Sequence, residues 1–206
     1  MDYQSQYGQD EALYRLLFKN KMDGVFVELG AGDGVRLSNT YFFEKQGWSG
    51  ICIEPNPFEY KKLIENRHCI TENIVIATNP SPVEFLAIDG EGKGLSGIVD
   101  EYDSRHLQRI ETSGEVKGRQ EVMKVPTSTM ENLFDKHNIT EVDYFSLDVE
   151  GSELDVLHSI NFEKVKINYF TIENNYNSFD EAIFLMSKGF IKIGTVKIDD
   201  VYRYFG

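Results

Sequence analysis

The stretch VFVELGAGDG, Val25 to Gly34, sets the terms for this chain. A short apolar run, suited to a buried strand, carries the acid Glu28 and then enters three closely spaced glycines, Gly30, Gly32 and Gly34. Glycine at these positions lets the backbone turn tightly and approach a ligand with no Cβ in the way. Two phosphate-binding patterns are excluded. The dinucleotide fingerprint G-x-G-x-x-G requires glycine or alanine where Val35 stands, and no Gly-Lys-Ser/Thr ending follows for a phosphate-binding loop. An acid two residues before the first glycine instead marks a site for S-adenosylmethionine (SAM). There the acid either meets the cofactor's ammonium, directly or through water, or caps the turn.

Strand and helix patterns alternate along most of the chain. Strands are expected at 25–29, 50–54, 70–77, 83–88, 121–125, 144–148, 168–173 and 190–194, with a short last one at 201–205. Helices are expected at 10–20, 38–46, 57–66, 129–137, 152–160 and 178–188. Ser38, Ser128 and Ser178 are candidate N-caps, and Pro57 suits a first helical turn. Such alternation predicts an α/β fold: a doubly wound, mostly parallel sheet with helices on both faces. Its 206 residues fit a single domain spanning 1–206. Residues 89–120 break the pattern with six glycines and many charges. A long insert of this kind is either a lid over the acceptor site or a surface insertion, with a short helix near 99–110.

Charge and cysteine content narrow the function. The formal net charge is −13, from 21 basic and 34 acidic residues. That argues against a nucleic-acid backbone or an anionic membrane surface as the main partner. No apolar run approaches the roughly 18 residues that a bilayer span needs. The polar start, MDYQSQYGQD, does not read as a signal peptide. Cys52 and Cys69 read as reduced core thiols, and a cytoplasmic location is expected.

Further motifs fall at strand ends, where open α/β sheets bind ligands. In ICIEPNP, Glu54 closes the second strand, and a carboxylate there accepts both hydroxyls of a ribose. In YFSLDVEGSE, Asp148 and Glu150 stand at the mouth of the same cleft, suited to acid–base work, ligand hydroxyls or a metal. Glu153 belongs in the following helix's first turn, where the dipole favours an acid. In TIENN, Glu173 and Asn174 end the next strand. Asp148, Glu173 and Asn174 offer oxygen ligands of the type that suits Mg²⁺ or Mn²⁺; alternatively, Glu173 and Asn174 hydrogen-bond the acceptor. His106, in the insert, is a reserve general base.

Taken together, SQYGQDE (Ser5 to Glu11), DGVFVELGAGDGVRLSNT (Asp23 to Thr40), WSGICIEPNP (Trp48 to Pro57), VDYFSLDVEGSELDVL (Val142 to Leu157) and IEN (Ile172 to Asn174) resemble the FkbM-type SAM-dependent methyltransferases. The resemblance implies a Rossmann-like class I methyltransferase fold that moves a methyl group to a hydroxyl. Family members act on polyketide-like products and on glycan sugars, and such domains also occur fused to glycosyltransferases. By this analogy Glu28, Gly30, Gly32, Asp33 and Glu54 contact the cofactor, Ser38, Asn39 and Thr40 approach its methionine carboxylate, and Asp148 and Glu150 are active-site acids. A basic residue is common in the family where this chain has Ser146.

The sequence therefore predicts a SAM-dependent O-methyltransferase acting on a sugar hydroxyl, with a glycan-linked deoxyhexose such as rhamnose as acceptor. A non-sugar acceptor, a nicotinamide-dependent reductase and a non-catalytic binding module are the alternatives. A sugar hydroxyl barely ionises at neutral pH, and a free aspartate is a weak base for it. A metal at Asp148, Glu173 and Asn174 would acidify that hydroxyl, with Glu150 orienting the acceptor. If full turnover survives EDTA, Asp148 or His106 is left as the base.

Overall fold

A computed structural model describes residues 2–101, 116–149, 151–174 and 178–206. The chain opens with helix α1 (Gln9–Leu13), which runs into a π-helical turn (Tyr14–Phe18). There follow β1 (Val25–Leu29), α2 (Tyr41–Lys45), β2 (Ser49–Ile53), α3 (Pro57–Asn66), β3 (Ile70–Glu72), β4 (Val75–Ile76), β5 (Val83–Asp89) and β6 (Gly97–Ile98). The second half supplies β7 (Arg119–Val125), β8 (Thr127–Ser128), α4 (Met130–His137), β9 (Glu141–Leu147), α5 (Glu153–His158), β10 (Lys166–Glu173), α6 (Asp180–Ser187), β11 (Phe190–Val196) and β12 (Asp199–Tyr204).

Seven strands form the central sheet in the order β11-β12-β10-β9-β1-β2-β3. The pairs among β3, β2, β1, β9 and β10 are parallel, and β12 runs antiparallel between β10 and β11. The mostly parallel α/β sheet expected from the sequence is thus observed. Strand order reverses between β1 and β9, and the loops leaving these two strands open the crevice in which such sheets bind ligands.

Strand alternation distributes the core to both faces. On β1, Val27 and Leu29 pack with α4 and α5 residues Met130, Leu133, Phe134, Val156 and Leu157. Phe26 faces the opposite way, into a cluster with Leu13, Phe18, Phe42, Phe43 and Leu63 from the first helices. Side chains of period two on a sheet covered twice require this division.

Three local expectations need correction. The strand expected over 70–77 is broken, because Asn73 turns its side-chain amide to the carbonyls of Glu54 and Pro55 (2.8 and 3.0 Å). The strands near 83–88 and 121–125 leave the central sheet. They pair with each other, and β5 also pairs with β6, in a separate antiparallel sheet with its own core of Phe85, Ala87, Ile98 and Val125. Thr129, not Ser128, caps α4 by accepting the Asn132 N–H (3.0 Å). Pro57 stands in the first turn of α3 as expected, behind Asn56 as N-cap. Of residues 99–110, where the short helix was expected, Val99–Glu101 form a 3-10 turn and 102–110 lie outside the described residues.

Candidate functional site

The β1 turn and the β9 loop approach so closely that only glycine fits between them. Gly30 has φ 75°, and a Cβ on it would stand 1.9 Å from the Asp148 carbonyl oxygen. Gly32 has φ 55°, and a Cβ there would meet open space, so the backbone itself faces the crevice. Its N–H donates to Glu54 Oε2 (2.7 Å), while Glu54 Oε1 accepts the Asn56 N–H (2.8 Å). Burial pushes the Glu54 carboxyl up to about 7, against the opposing pull of these two N–H donors.

Behind the turn sits a closed polar network. Glu28 Oε2 accepts from Ser38 Oγ (2.8 Å) and Thr40 Oγ1 (2.6 Å), and Oε1 accepts the Asn39 N–H (2.6 Å). The buried Arg67 guanidinium binds Glu28 (3.3 Å), Glu44, the Gly34 carbonyl (3.0 Å) and Thr40 Oγ1 (3.0 Å). The side-chain amide of Asn39 donates to Ser146 Oγ (2.9 Å). Its Oδ1 is buried with no hydrogen-bond partner among the described residues. An orphaned buried acceptor carries a free-energy cost and marks a place where a donor belongs.

A cavity of roughly 770 Å³ opens above this turn. Gly30, Gly32, Asn39, Glu54, Asp148 and Glu173 line it. Residues 90–96 form another part of the wall. Lys93 ties that segment down through ion pairs to Asp33 (3.3 Å) and Glu59. This segment belongs to the 89–120 insert and lies against the cavity; the insert's remainder at 102–115 is outside the described residues. The N-terminal segment closes another side, with Gln9 and Asp199 lining the same space.

The predicted residues therefore divide. Six of them meet at the cavity. Glu28, Asp33, Ser38, Thr40 and Asn174 do not line it. Glu28, Ser38 and Thr40 hold the turn from behind, so their influence on a ligand passes through Asn39. Asp33 accepts the Val35 and Arg36 N–H groups (3.0 and 2.8 Å). Burial works to raise the Asp33 carboxyl, but these donors and Lys93 outweigh it and hold it below the usual range. Asn174 closes a loop instead of facing a ligand. Its Oδ1 accepts the Ser178 N–H (2.8 Å), and its Nδ2 donates to Ser178 O (2.9 Å) and Asp200 (3.3 Å). Of the proposed metal set, Asp148 and Glu173 line the cavity and Asn174 does not. Among the described residues, no three His, Cys, Asp or Glu side chains are grouped to hold a metal ion. Glu150 and His106 lie outside the described residues.

Residues 28–192 match the model of the methyltransferase FkbM domain. The chain belongs to the FkbM methyltransferase family. In this FkbM domain the matched region contains the glycine turn, Glu54, Asp148 and Glu173, all of which line the cavity or its turn at the strand-order switch. No curated protein shows significant similarity to the chain. Among the described residues, no helix is long and apolar enough to cross a membrane.

Sequence reasoning missed Lys93, Gln9 and Asp199 as cavity residues. Gln9 stood inside the SQYGQDE run, which was a usable signal. Asp199 carried none, because an acid at a strand start is ordinary. Ser146 accepts from the Asn39 amide and so helps to fix the orphan acceptor.

Proposed function

We propose that this FkbM domain is a SAM-dependent O-methyltransferase whose acceptor is a neutral sugar hydroxyl, with a glycan-linked deoxyhexose such as rhamnose the first to test. One observation carries the reading. The buried Glu54 carboxylate and the unpartnered Asn39 Oδ1 line a single cavity together with the open Gly30–Gly32 turn. Those donor and acceptor types fit SAM. Glu54 would accept the two ribose hydroxyls, Asn39 Oδ1 would accept from the amino group of the methionine portion, and the glycines leave space for its chain.

When bound, the cofactor supplies an activated methyl group. The protein's task is then to hold the acceptor oxygen in line and to receive its proton, and positioning of this kind is worth several kcal/mol. Asp148 and Glu173 line the remaining cavity and offer acceptors to sugar hydroxyls. The segment at 90–96, tied by Lys93, limits water at the reacting centre. Acidic walls and the net charge of −13 disfavour an anionic acceptor. We further place the protein in the cytoplasm, alongside a glycosyltransferase that supplies or extends the sugar.

Calorimetry with S-adenosylhomocysteine against NAD tests the cofactor. Mass spectrometry of a panel of methyl glycosides and non-sugar alcohols, each incubated with enzyme and SAM, tests the acceptor through a gain of one methylene. Binding of NAD in place of S-adenosylhomocysteine would refute the reading. Transfer confined to non-sugar alcohols would replace the acceptor class.

A further inference from the structure

Two residues 190 positions apart meet at the cavity wall, and both lie outside the stretch matched to the family model. Gln9, at the start of α1, donates from Nε2 to Asp199 Oδ2 (2.5 Å), at the start of β12. Both side chains are buried, with Gln9 3% and Asp199 6% exposed. The Gln9 amide is itself fixed, because its Oε1 accepts the Tyr7 N–H (2.8 Å).

The contrast with Asp200 is informative. Asp200 is a neutralised structural acid, paired with Lys192 (2.6 Å) and bonded to Thr195 Oγ1 (3.1 Å) and Asn174. Asp199 has no lysine or arginine partner among the described residues and lines the ligand cavity. Glu173 is its partner in the β10–β12 ladder, Asp200 is its neighbour along the strand, the neutral Gln9 reaches it from α1, and the buried Tyr144 hydroxyl on β9 lies within reach of its charge. A buried carboxylate costs free energy unless it is paired, so retaining one beside other acids needs a reason.

Resting on the methyltransferase reading above, we propose that Asp199 is the catalytic base that takes the proton of the acceptor hydroxyl, and that Gln9 is the positioning residue that aims it. The proton passes from the acceptor oxygen to the Asp199 carboxylate while that oxygen's electron pair forms the new bond to the methyl carbon. The methyl–sulfur bond breaks with its pair left on sulfur, giving a neutral thioether and a neutral carboxylic acid. No oxidant, reductant or metal is needed for this balance. Burial pushes the Asp199 carboxyl up, the Gln9 bond resists, and Asp200 adds to the rise. That shift makes Asp199 a better proton acceptor than a solvated aspartate.

Asp199→Asn is isosteric and retains an oxygen for Gln9, so it separates chemistry from folding. Calorimetry with S-adenosylhomocysteine is expected to give both proteins the same affinity within about threefold, since Asp199 is assigned to the acceptor. Loss of binding by wild type would refute the methyltransferase reading itself, while loss by the variant alone would overturn the base assignment. With SAM and the methyl glycoside panel as probe, Asp199→Asn should lose transfer by roughly 10²–10⁴-fold in kcat. Its pH profile should be flat where that of wild type rises with a carboxylate's ionisation. A variant within tenfold of wild type overturns the assignment. Gln9→Ala should lower kcat with little change in the KM for SAM. An acceptor-free arm follows the Asp199 carboxyl by ¹³C NMR in the S-adenosylhomocysteine complex. A midpoint above the ordinary aspartate range supports the proposal, and one within or below that range overturns it, whichever sugar reacts.

Discussion

Gly30 and Asp148 are packed so that a Cβ on Gly30 would stand 1.9 Å from the Asp148 carbonyl oxygen. This contact joins the loops of β1 and β9, the two parallel strands between which the strand order reverses. Gly30→Ala must therefore push the two loops apart and also hold an alanine at φ 75°. The backbone strain alone is on the order of 1–3 kcal/mol. A lowered thermal midpoint and loss of S-adenosylhomocysteine binding are expected, by scanning calorimetry and titration calorimetry respectively.

Glu54 makes stability and binding depend on pH in opposite senses. Its carboxyl is raised from an ordinary glutamate's 4.5 to about 7 in the folded state. The folded form thus holds the proton more tightly than the unfolded chain. Glu54's contribution to stability is full below the unfolded value, declines as pH rises, and levels off above about 7. The total decline is roughly 3 kcal/mol. Glu54→Gln should flatten the urea-midpoint profile across that window. On the proposed reading, in which the ionised carboxylate accepts the ribose hydroxyls, binding of S-adenosylhomocysteine should tighten as pH rises through 7.

Arg67 holds the buried Glu28 and the half-buried Glu44. Truncation to alanine leaves Glu28 and Glu44 without their cation, and such a loss costs about 3–5 kcal/mol. Arg67→Lys should recover little of this, because a single ammonium cannot reach Glu28, Glu44, the Gly34 carbonyl and Thr40 together. Chemical denaturation of the two variants measures both effects.

Lys93 governs a wall of the cavity, not the core. Glu59 keeps Lys62 (2.6 Å) when Lys93 is removed. Lys93→Met should shift global stability by less than about 1 kcal/mol. Amide exchange at residues 90–96 should nevertheless speed up, and S-adenosylhomocysteine should dissociate faster. Unchanged exchange there would mean that the ion pairs do not hold the segment.

Asn174 serves its loop. Asn174→Ala should lower the thermal midpoint through loss of the Ser178 and Asp200 bonds. Methyl transfer by wild type should survive EDTA, since Asn174 is not placed as a ligand beside Asp148 and Glu173. Abolition by EDTA with restoration by Mg²⁺ would refute this expectation.

The sequence by itself determined the strand and helix alternation, the turn at Gly30–Gly34, the acid Glu54 after the second strand and the acids at the ends of β9 and β10. These are local properties: apolar periodicity, backbone freedom at glycine, and a strand's carboxyl end. Only the tertiary structure decided which acids face a ligand. Glu28 and Glu54 look alike in sequence, yet Arg67 and three residues of the following turn close over the first while the second stays open to the cavity. Asn174 was lost to its own loop, and β5 with β7 went to a separate sheet, because period-two patterning marks a strand without naming its partners. Gln9 and Asp199 come together only when the start of α1 meets the start of β12, and no local pattern encodes a contact between side chains so distant along the chain.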